Sequence, residues 1–274
     1  MPSATFKHLQ AILFDWAGTT IDFGSCAPAS VFQAIFSQRG VPITAAQARG
    51  PMGRAKRDHI ATIGKMPAVD EAWRLKHAGI AMGEADIDAM YADFLPLQKE
   101  TLGQHSQLIA GVPDIIDWCR TRGLKIGSTT GYTRELLDIV CAAAAEQGYQ
   151  PDCAFGAEDA PLGRPAPFLL FECAKRLSVY PMWHVVAVDD TPVGIEAGRN
   201  AGCWTIGITR TGNCVGLSEL QWEELSVDHK TQALATAEQT LLAAGAHAVV
   251  ESVADIRPVL EAFEQQLSSG QLPM

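Results

Sequence analysis

Residues 11–20 read AILFDWAGTT: an apolar run from Ala11 to Phe14 stops on one carboxylate, Asp15, turns at Gly18 and reaches two hydroxyls, Thr19 and Thr20. A short apolar run closed by a turn reads as a buried strand, and open α/β sheets bind ligands at the carboxyl ends of their strands. The pattern recurs downstream. Apolar runs at 124–128, 185–188 and 203–208 alternate with helical stretches at 112–121, 134–147, 167–177 and 192–200. Gly123, Gly148 and Gly202 stop three of these helices, and Thr133 is a ready N-cap for the second. Strands alternating with helices predict an α/β fold: a doubly wound, mostly parallel, Rossmann-like sheet.

Between the first strand and the second, the chain carries no convincing strand from residue 15 to residue 123. Helical segments at 28–38, 45–49, 54–63 and 84–102 occupy the interval, far more than a βαβ crossover requires. The expectation is an all-helical cap domain, residues 24–107, inserted into a Rossmann-like core formed by residues 1–23 and 108–274. From Leu217 onward, two or three helices surround an apolar patch at 246–250.

At 274 residues and 47% hydrophobic, the chain can bury a large core. Its net charge of −10, from 21 basic and 31 acidic residues, argues against a nucleic-acid or anionic-membrane partner, so an anionic ligand needs local features to hold it. The seven cysteines are odd in number and never form CxxC, which predicts buried free thiols rather than a disulfide framework or a zinc site. No apolar stretch approaches the ~20 residues of a membrane span, and a cytoplasmic location is expected.

Four places at predicted strand ends then stand together: Asp15, the run Ser128-Thr129-Thr130-Gly131, Gly163-Arg164-Pro165 ahead of a helix, and Asp189-Asp190-Thr191. Each alone is an ordinary cap, loop or turn. In combination they supply a carboxylate nucleophile, donors for phosphate oxygens, a cation, and carboxylates for Mg²⁺, the parts that aspartyl-phosphate chemistry needs.

The set FDWAGTT, GSTTGYTRE, GRPAP and VDDTPVGIEAGRNAG resembles the four motifs of the haloacid dehalogenase superfamily, and DWAGTT with PMGRAK and STTGYTRE resembles its phosphonoacetaldehyde hydrolase (phosphonatase) family. The resemblance runs along essentially the whole chain. It implies Asp15 as nucleophile, Lys56 as the amine of a Schiff base, and Mg²⁺ held by Asp15, the backbone carbonyl of Ala17 and Asp190, with Asp189 behind them. It also implies phosphate held by Thr130, Gly131 and Arg164, and a homodimer through the caps. Gly194 departs from the wider superfamily, where many members carry an acidic residue.

The resemblance also explains Ala17, which stands where phosphate-ester enzymes of this kind carry a second Asp. A general acid is worth about 10²–10⁴ in rate, roughly 3–5 kcal/mol, when an alkoxide leaves. In a phosphonate the leaving atom is carbon, and an iminium formed by Lys56 with a neighbouring aldehyde takes up the electrons instead. An ordinary lysine, pKa near 10.4, is neutral in only about one molecule in a few thousand at pH 7. Burial and the cations at Arg54 and Arg57 are expected to lower that value. His59, three residues on, shares a helical face with Lys56 and reads either as a proton shuttle or as packing. Met52 reads as packing at the cap–core seam or as a substrate contact, and Tyr132 as a cover for the site or the start of a helix. Trp16 reads as an apolar wall.

The reading is therefore an enzyme that splits a small phosphonate substrate, phosphonoacetaldehyde, into acetaldehyde and phosphate. Its rivals are a magnesium-dependent phosphatase or sugar-phosphate mutase of the same superfamily, a dehalogenase that needs no Mg²⁺, and a non-catalytic binding protein on the same fold.

Overall fold

The computed structural model describes residues 5–273, apart from the side chain of Gln104. Six strands form one parallel sheet: β1 (Ala11–Phe14), β2 (Lys125–Thr129), β3 (Cys153–Phe155), β4 (Val185–Asp189), β5 (Trp204–Ile208) and β6 (Ala248–Val250). Their spatial order is β3-β2-β1-β4-β5-β6. β1 pairs with β2 on one side and with β4 on the other, so the order reverses at β1 and the crevice beyond its carboxyl end is the switch point. All four β1 residues are buried. Successive side chains alternate faces: Ile12 and Phe14 enter one apolar cluster, Ala11 and Leu13 the other. Burial on both faces is why this strand reads as an unbroken apolar run.

The four predicted strands are β1, β2, β4 and β5. Sequence reading misses β3 and β6, which are three residues long and half-buried at the two edges of the sheet, where neither alternation nor a long apolar run marks them. Residues 246–250, expected as a patch among helices, supply β6.

After β1 the insert carries five helices: α1 (Cys26–Gln38), α2 (Ala45–Arg49), α3 (Lys56–Gly64), α4 (Pro67–Lys76) and α5 (Glu84–His105). They enclose an apolar cluster of their own, with Phe32, Phe36, Ile60, Trp73 and Phe94 at its centre. The two chain crossings into this insert run side by side: Ile21 bridges Leu108, and the Asp22 N–H donates to the Gln107 carbonyl at 3.2 Å. Helix α4, which sequence reading does not single out, opens with Pro67 at its first turn.

The sheet is flanked by α6 (Val112–Thr121), α7 (Arg134–Glu146), α8 (Phe168–Leu177), α9 (Pro192–Ala201), α10 (Glu219–Glu224), α11 (Val227–Ala243) and α12 (Arg257–Ser268). Thr133 caps α7, its hydroxyl accepting from the Leu136 N–H. Among the described residues no helix is long and apolar enough to cross a membrane. All seven cysteines are free, but only Cys119, Cys173 and Cys203 are buried. Cys26, Cys141, Cys153 and Cys214 are partly exposed, so burial does not hold for every thiol.

Candidate active site

The carboxyl ends of β1, β2 and β4 bring their motifs into one closed cavity. Asp15, Ala17, Thr130, Gly131, Arg164 and Asp190 line it from the sheet side; Met52, Gly53 and Lys56 close it from the insert, with Tyr132 between. The cavity is about 20 Å³, room for roughly one water, so the insert sits down on the site. An open groove of about 630 Å³ between α11 and β6 is larger, but Arg210 and Glu251 in it pair with one another and no comparable set of groups converges there.

Arg164 organises the charges. Its Nη1 donates to Asp15 Oδ1 at 2.6 Å and to Asp189 Oδ2 at 3.0 Å, while Nη2 donates to the Thr129 carbonyl at 3.0 Å and hydroxyl at 2.8 Å. Burial works against its charge, but Asp189 and Asp15 hold it protonated. Burial pushes the Asp15 carboxyl up to about 7, against the pull of Arg164 and with the push of Asp189. Asp190 is likewise raised, by burial and then by Asp15 and Asp189.

Asp15, Asp189 and Asp190 each offer an oxygen within 4.8 Å of the others. Asp190 Oδ2 accepts from the Asn213 N–H at 2.7 Å, but Asp190 Oδ1 is buried with no partner among the described residues. An orphaned carboxylate oxygen beside a second carboxylate fits a hard divalent cation. Asp189 is spent differently: its Oδ1 accepts from the Thr191 N–H at 2.9 Å and hydroxyl at 2.7 Å, and its Oδ2 faces Arg164. The departure at Gly194 follows from this arrangement. A Cβ there would overlap the Asp189 carboxylate, so the missing side chain at 194 makes room for the acid at 189.

Lys56 is the first residue of α3 and is buried. Its Nζ lies 4.9 Å from the Tyr132 ring centroid and 5.9 Å from that of Phe32. Its pKa falls to about 8, chiefly through burial; Asp15 opposes the fall and Arg164 assists it. The expected help from neighbours in sequence is not what acts: Arg57 turns outward to Glu84 and Asp88, each at 2.7 Å. His59 shares the buried face, as expected, but sits behind the cavity rather than on its wall. It stacks on Phe32 at 3.7 Å between centroids and pairs through Nε2 with the Ala48 carbonyl at 2.8 Å. Burial first, then Lys56, depress its pKa well below the usual imidazole value, so it is neutral, with Nε2 donating and Nδ1 unpartnered among the described residues.

Met52 both packs in the apolar cluster of the insert and lines the cavity, so the two alternatives for it coincide. Tyr132 covers the site, its hydroxyl pKa raised by burial. Thr130 turns its hydroxyl to accept from the Tyr132 N–H at 3.2 Å. Gly131 is where motif and insert touch: a Cβ there would stand 2.5 Å from the Arg54 carbonyl oxygen. Trp16, expected as an apolar wall of the site, is fully buried in the core cluster and packs on Tyr149 at 5.3 Å, but the residues lining the cavity do not include it. Sequence reading misses Ser25 and Pro28, which line the cavity from the start of the insert, and the Arg49–Asn213 contact at 3.1 Å that ties α2 to the loop holding Asp190. No local motif marks them; a loop serine and a helical arginine acquire these places through the fold alone.

Comparison with known proteins agrees with the geometry. The family model for haloacid dehalogenase-like hydrolases matches residues 9–202. The chain is 43% identical over 267 residues to the phosphonoacetaldehyde hydrolase of Paraburkholderia phytofirmans, covering 97% of this chain and 100% of that one. With the Bacillus cytotoxicus phosphonoacetaldehyde hydrolase it shares 40% over 258 residues, 94% and 97% of the two chains. The crystal structure of a phosphonoacetaldehyde hydrolase-like protein from Oleispira antarctica superposes with a TM-score of 0.95 at 39% identity, over 100% of this chain and 99% of that one. A β-phosphoglucomutase from Clostridium difficile, 13% identical with a TM-score of 0.66, shares the fold alone, over 95% and 99% of the chains. The chain is an enzyme that belongs to the haloacid dehalogenase-like hydrolases and, within them, to the phosphonoacetaldehyde hydrolase family.

Proposed function

We propose that this enzyme hydrolyses the carbon–phosphorus bond of phosphonoacetaldehyde to acetaldehyde and phosphate, with Lys56 as Schiff-base amine and Asp15 as nucleophile. The observation that carries the reading is a buried lysine, its pKa lowered to about 8, lining one cavity with Asp15 where Ala17 offers no acid. Neutral Lys56 adds to the aldehyde carbon, and loss of water leaves an iminium. Asp15 attacks phosphorus, and the C–P bonding electrons pass into the iminium to give an enamine. Protonation of the enamine carbon and hydrolysis return acetaldehyde and free Lys56; water cleaves the aspartyl phosphate to phosphate and Asp15.

Arg164, Thr130 and the Gly131 backbone hold the phosphoryl oxygens, and Met52 and Tyr132 wall the aldehyde end. Asp15, the Ala17 carbonyl and Asp190 would hold Mg²⁺, with Asp189 keeping Arg164 in place; the ion supplies charge neutralisation for the phosphoryl group. Residues 24–107 act as a cap that lifts to admit substrate, since a cavity of about 20 Å³ cannot admit it closed. His59 holds α3 through Phe32 and Ala48 and carries no proton in this scheme. A cytoplasmic homodimer through the caps belongs to the same reading. Its support is the apolar surface left bare by the insert, Leu75 82% and Ile80 69% exposed.

The test is phosphate release from phosphonoacetaldehyde, in parallel with borohydride trapping and peptide mapping, for the native protein and Lys56→Arg. Release with a reduced adduct on Lys56, both lost in the variant, is expected. Release that survives the substitution, an adduct elsewhere, or faster turnover of ordinary phosphate esters would overturn it.

A further inference from the structure

Arg164, the only cation shared by Asp15 and Asp189 among the described residues, rides on the connection between β3 and α8, and a cysteine stands at each end of that connection. Cys153 opens β3 and Cys173 lies on α8. Their side chains share one face of the sheet. Gly127 of β2 is the register partner of Cys153, and a Cβ at Gly127 would point at Cys173 Sγ from 3.4 Å. Both cysteines belong to the same apolar cluster under the sheet. Cys173 Sγ also lies 3.5 Å from the carbonyl of Ser128, the register partner of Ala154, so it sits under β2 directly beside the position of Cys153.

The pair is unequal. The contact with Cys173 holds the Cys153 thiol below its usual pKa, burial and Asp152 acting against it and Arg176 with it; the same contact, then burial, raises Cys173. Cys153 is also the more accessible, part-exposed on an edge strand, whereas Cys173 is buried. A part-exposed thiol of lowered pKa beside a buried thiol is the arrangement of an attacking and a resolving cysteine.

We propose that Cys153 and Cys173 form a reversible disulfide under peroxide, closing the segment that carries Arg164 at its base. The Cys153 thiolate attacks a peroxide oxygen, breaking the O–O bond; the released hydroxide takes a proton and leaves as water, and Cys153 becomes a sulfenic acid. The Cys173 thiol then attacks that sulfur, its proton leaving with the displaced hydroxide as a second water. Two thiols are oxidised and one peroxide is reduced. The two side chains are neighbours on one face of the sheet, so the bond pins the segment without moving Arg164, and it spares Cys153 from irreversible over-oxidation.

The experiment treats the reduced, full-length native protein with hydrogen peroxide, then maps it without reduction. Trypsin does not separate the two cysteines, because Arg164, the only Lys or Arg between them, precedes Pro165; a protease cutting at Glu158 or Asp159 does. The expected result is a 153–173 cross-link with the loss of two hydrogens, released by a thiol reductant and absent in Cys153→Ser and Cys173→Ser. Phosphate release should stay within about twofold of the reduced enzyme, with slower thermal inactivation that both variants lose. A sulfinic acid on Cys153 without a cross-link, pairing of Cys153 with Cys141, or a tenfold fall in activity on cross-linking would each overturn the proposal.

Discussion

Replacing Gly194 by alanine sets two physical effects against each other. Gly194 lies in the first turn of α9, where Gly→Ala ordinarily stabilises a helix by about 0.5–1 kcal/mol. Here the new methyl would overlap the Asp189 carboxylate, which is buried and accepts from Thr191 at 2.9 and 2.7 Å and from Arg164 at 3.0 Å. Breaking a buried charged pair of this kind costs about 3–5 kcal/mol. Subtracting the propensity gain leaves a net loss of about 2–4 kcal/mol. Arg164 would keep Asp15 and Thr129, so activity should fall by about one factor of ten for each ~1.4 kcal/mol of lost placement rather than vanish. In an Asp189→Ala background there is no carboxylate to displace, and the same Gly194→Ala change should become stabilising by about 0.5–1 kcal/mol. Urea unfolding of the four proteins, read as midpoints at constant slope, measures the cycle. An unchanged sign between the two backgrounds, or a Gly194→Ala single variant as stable as the native protein, would refute this account of Gly194.

Lys56, with its pKa near 8, is neutral in about one molecule in ten at pH 7, so the rate of adduct formation should rise about tenfold per pH unit up to about 8 and then level off; a rise continuing to pH 10, read by stopped trapping, would mean an unshifted amine. Divalent cation removal should abolish phosphate release. Mg²⁺ at about a hundred times its Kd should stabilise the fold by about 2.7 kcal/mol in thermal melts, and Asp190→Ala should cancel that gain if Oδ1, unpartnered among the described residues, is the ligand proposed above. Gly131→Ala, whose methyl would meet the Arg54 carbonyl at 2.5 Å, should hold the insert off the core and cut turnover at least about tenfold, with unfolding free energy changed by less than about 1 kcal/mol; unchanged turnover would show that the seam tolerates the methyl.

Much of the scaffold is legible in the chain because its signals are local. The runs that became β1, β2, β4 and β5 are buried on both faces, Lys125 apart, and glycine stops and the Thr133 cap mark the helices between them. The long strandless interval announces the helical insert, and the order of Asp15, Thr130, Arg164 and Asp190 announces the site. What the sequence does not carry is anything that depends on who becomes a neighbour. β3 and β6 exist because a sheet already stands beside them, three residues each being too few to specify a strand alone. Lys56 looks like any lysine on an amphipathic helix; burial against Phe32 and Tyr132, with Arg164 near, lowers its pKa to about 8, while Arg57 beside it goes to solvent. Gly194 reads as a lost acid until Asp189 is seen to fill its space. Periodicity and capping act over a few residues and are written in the chain, whereas burial, charge pairing and steric exclusion act between residues that only the folded structure brings together.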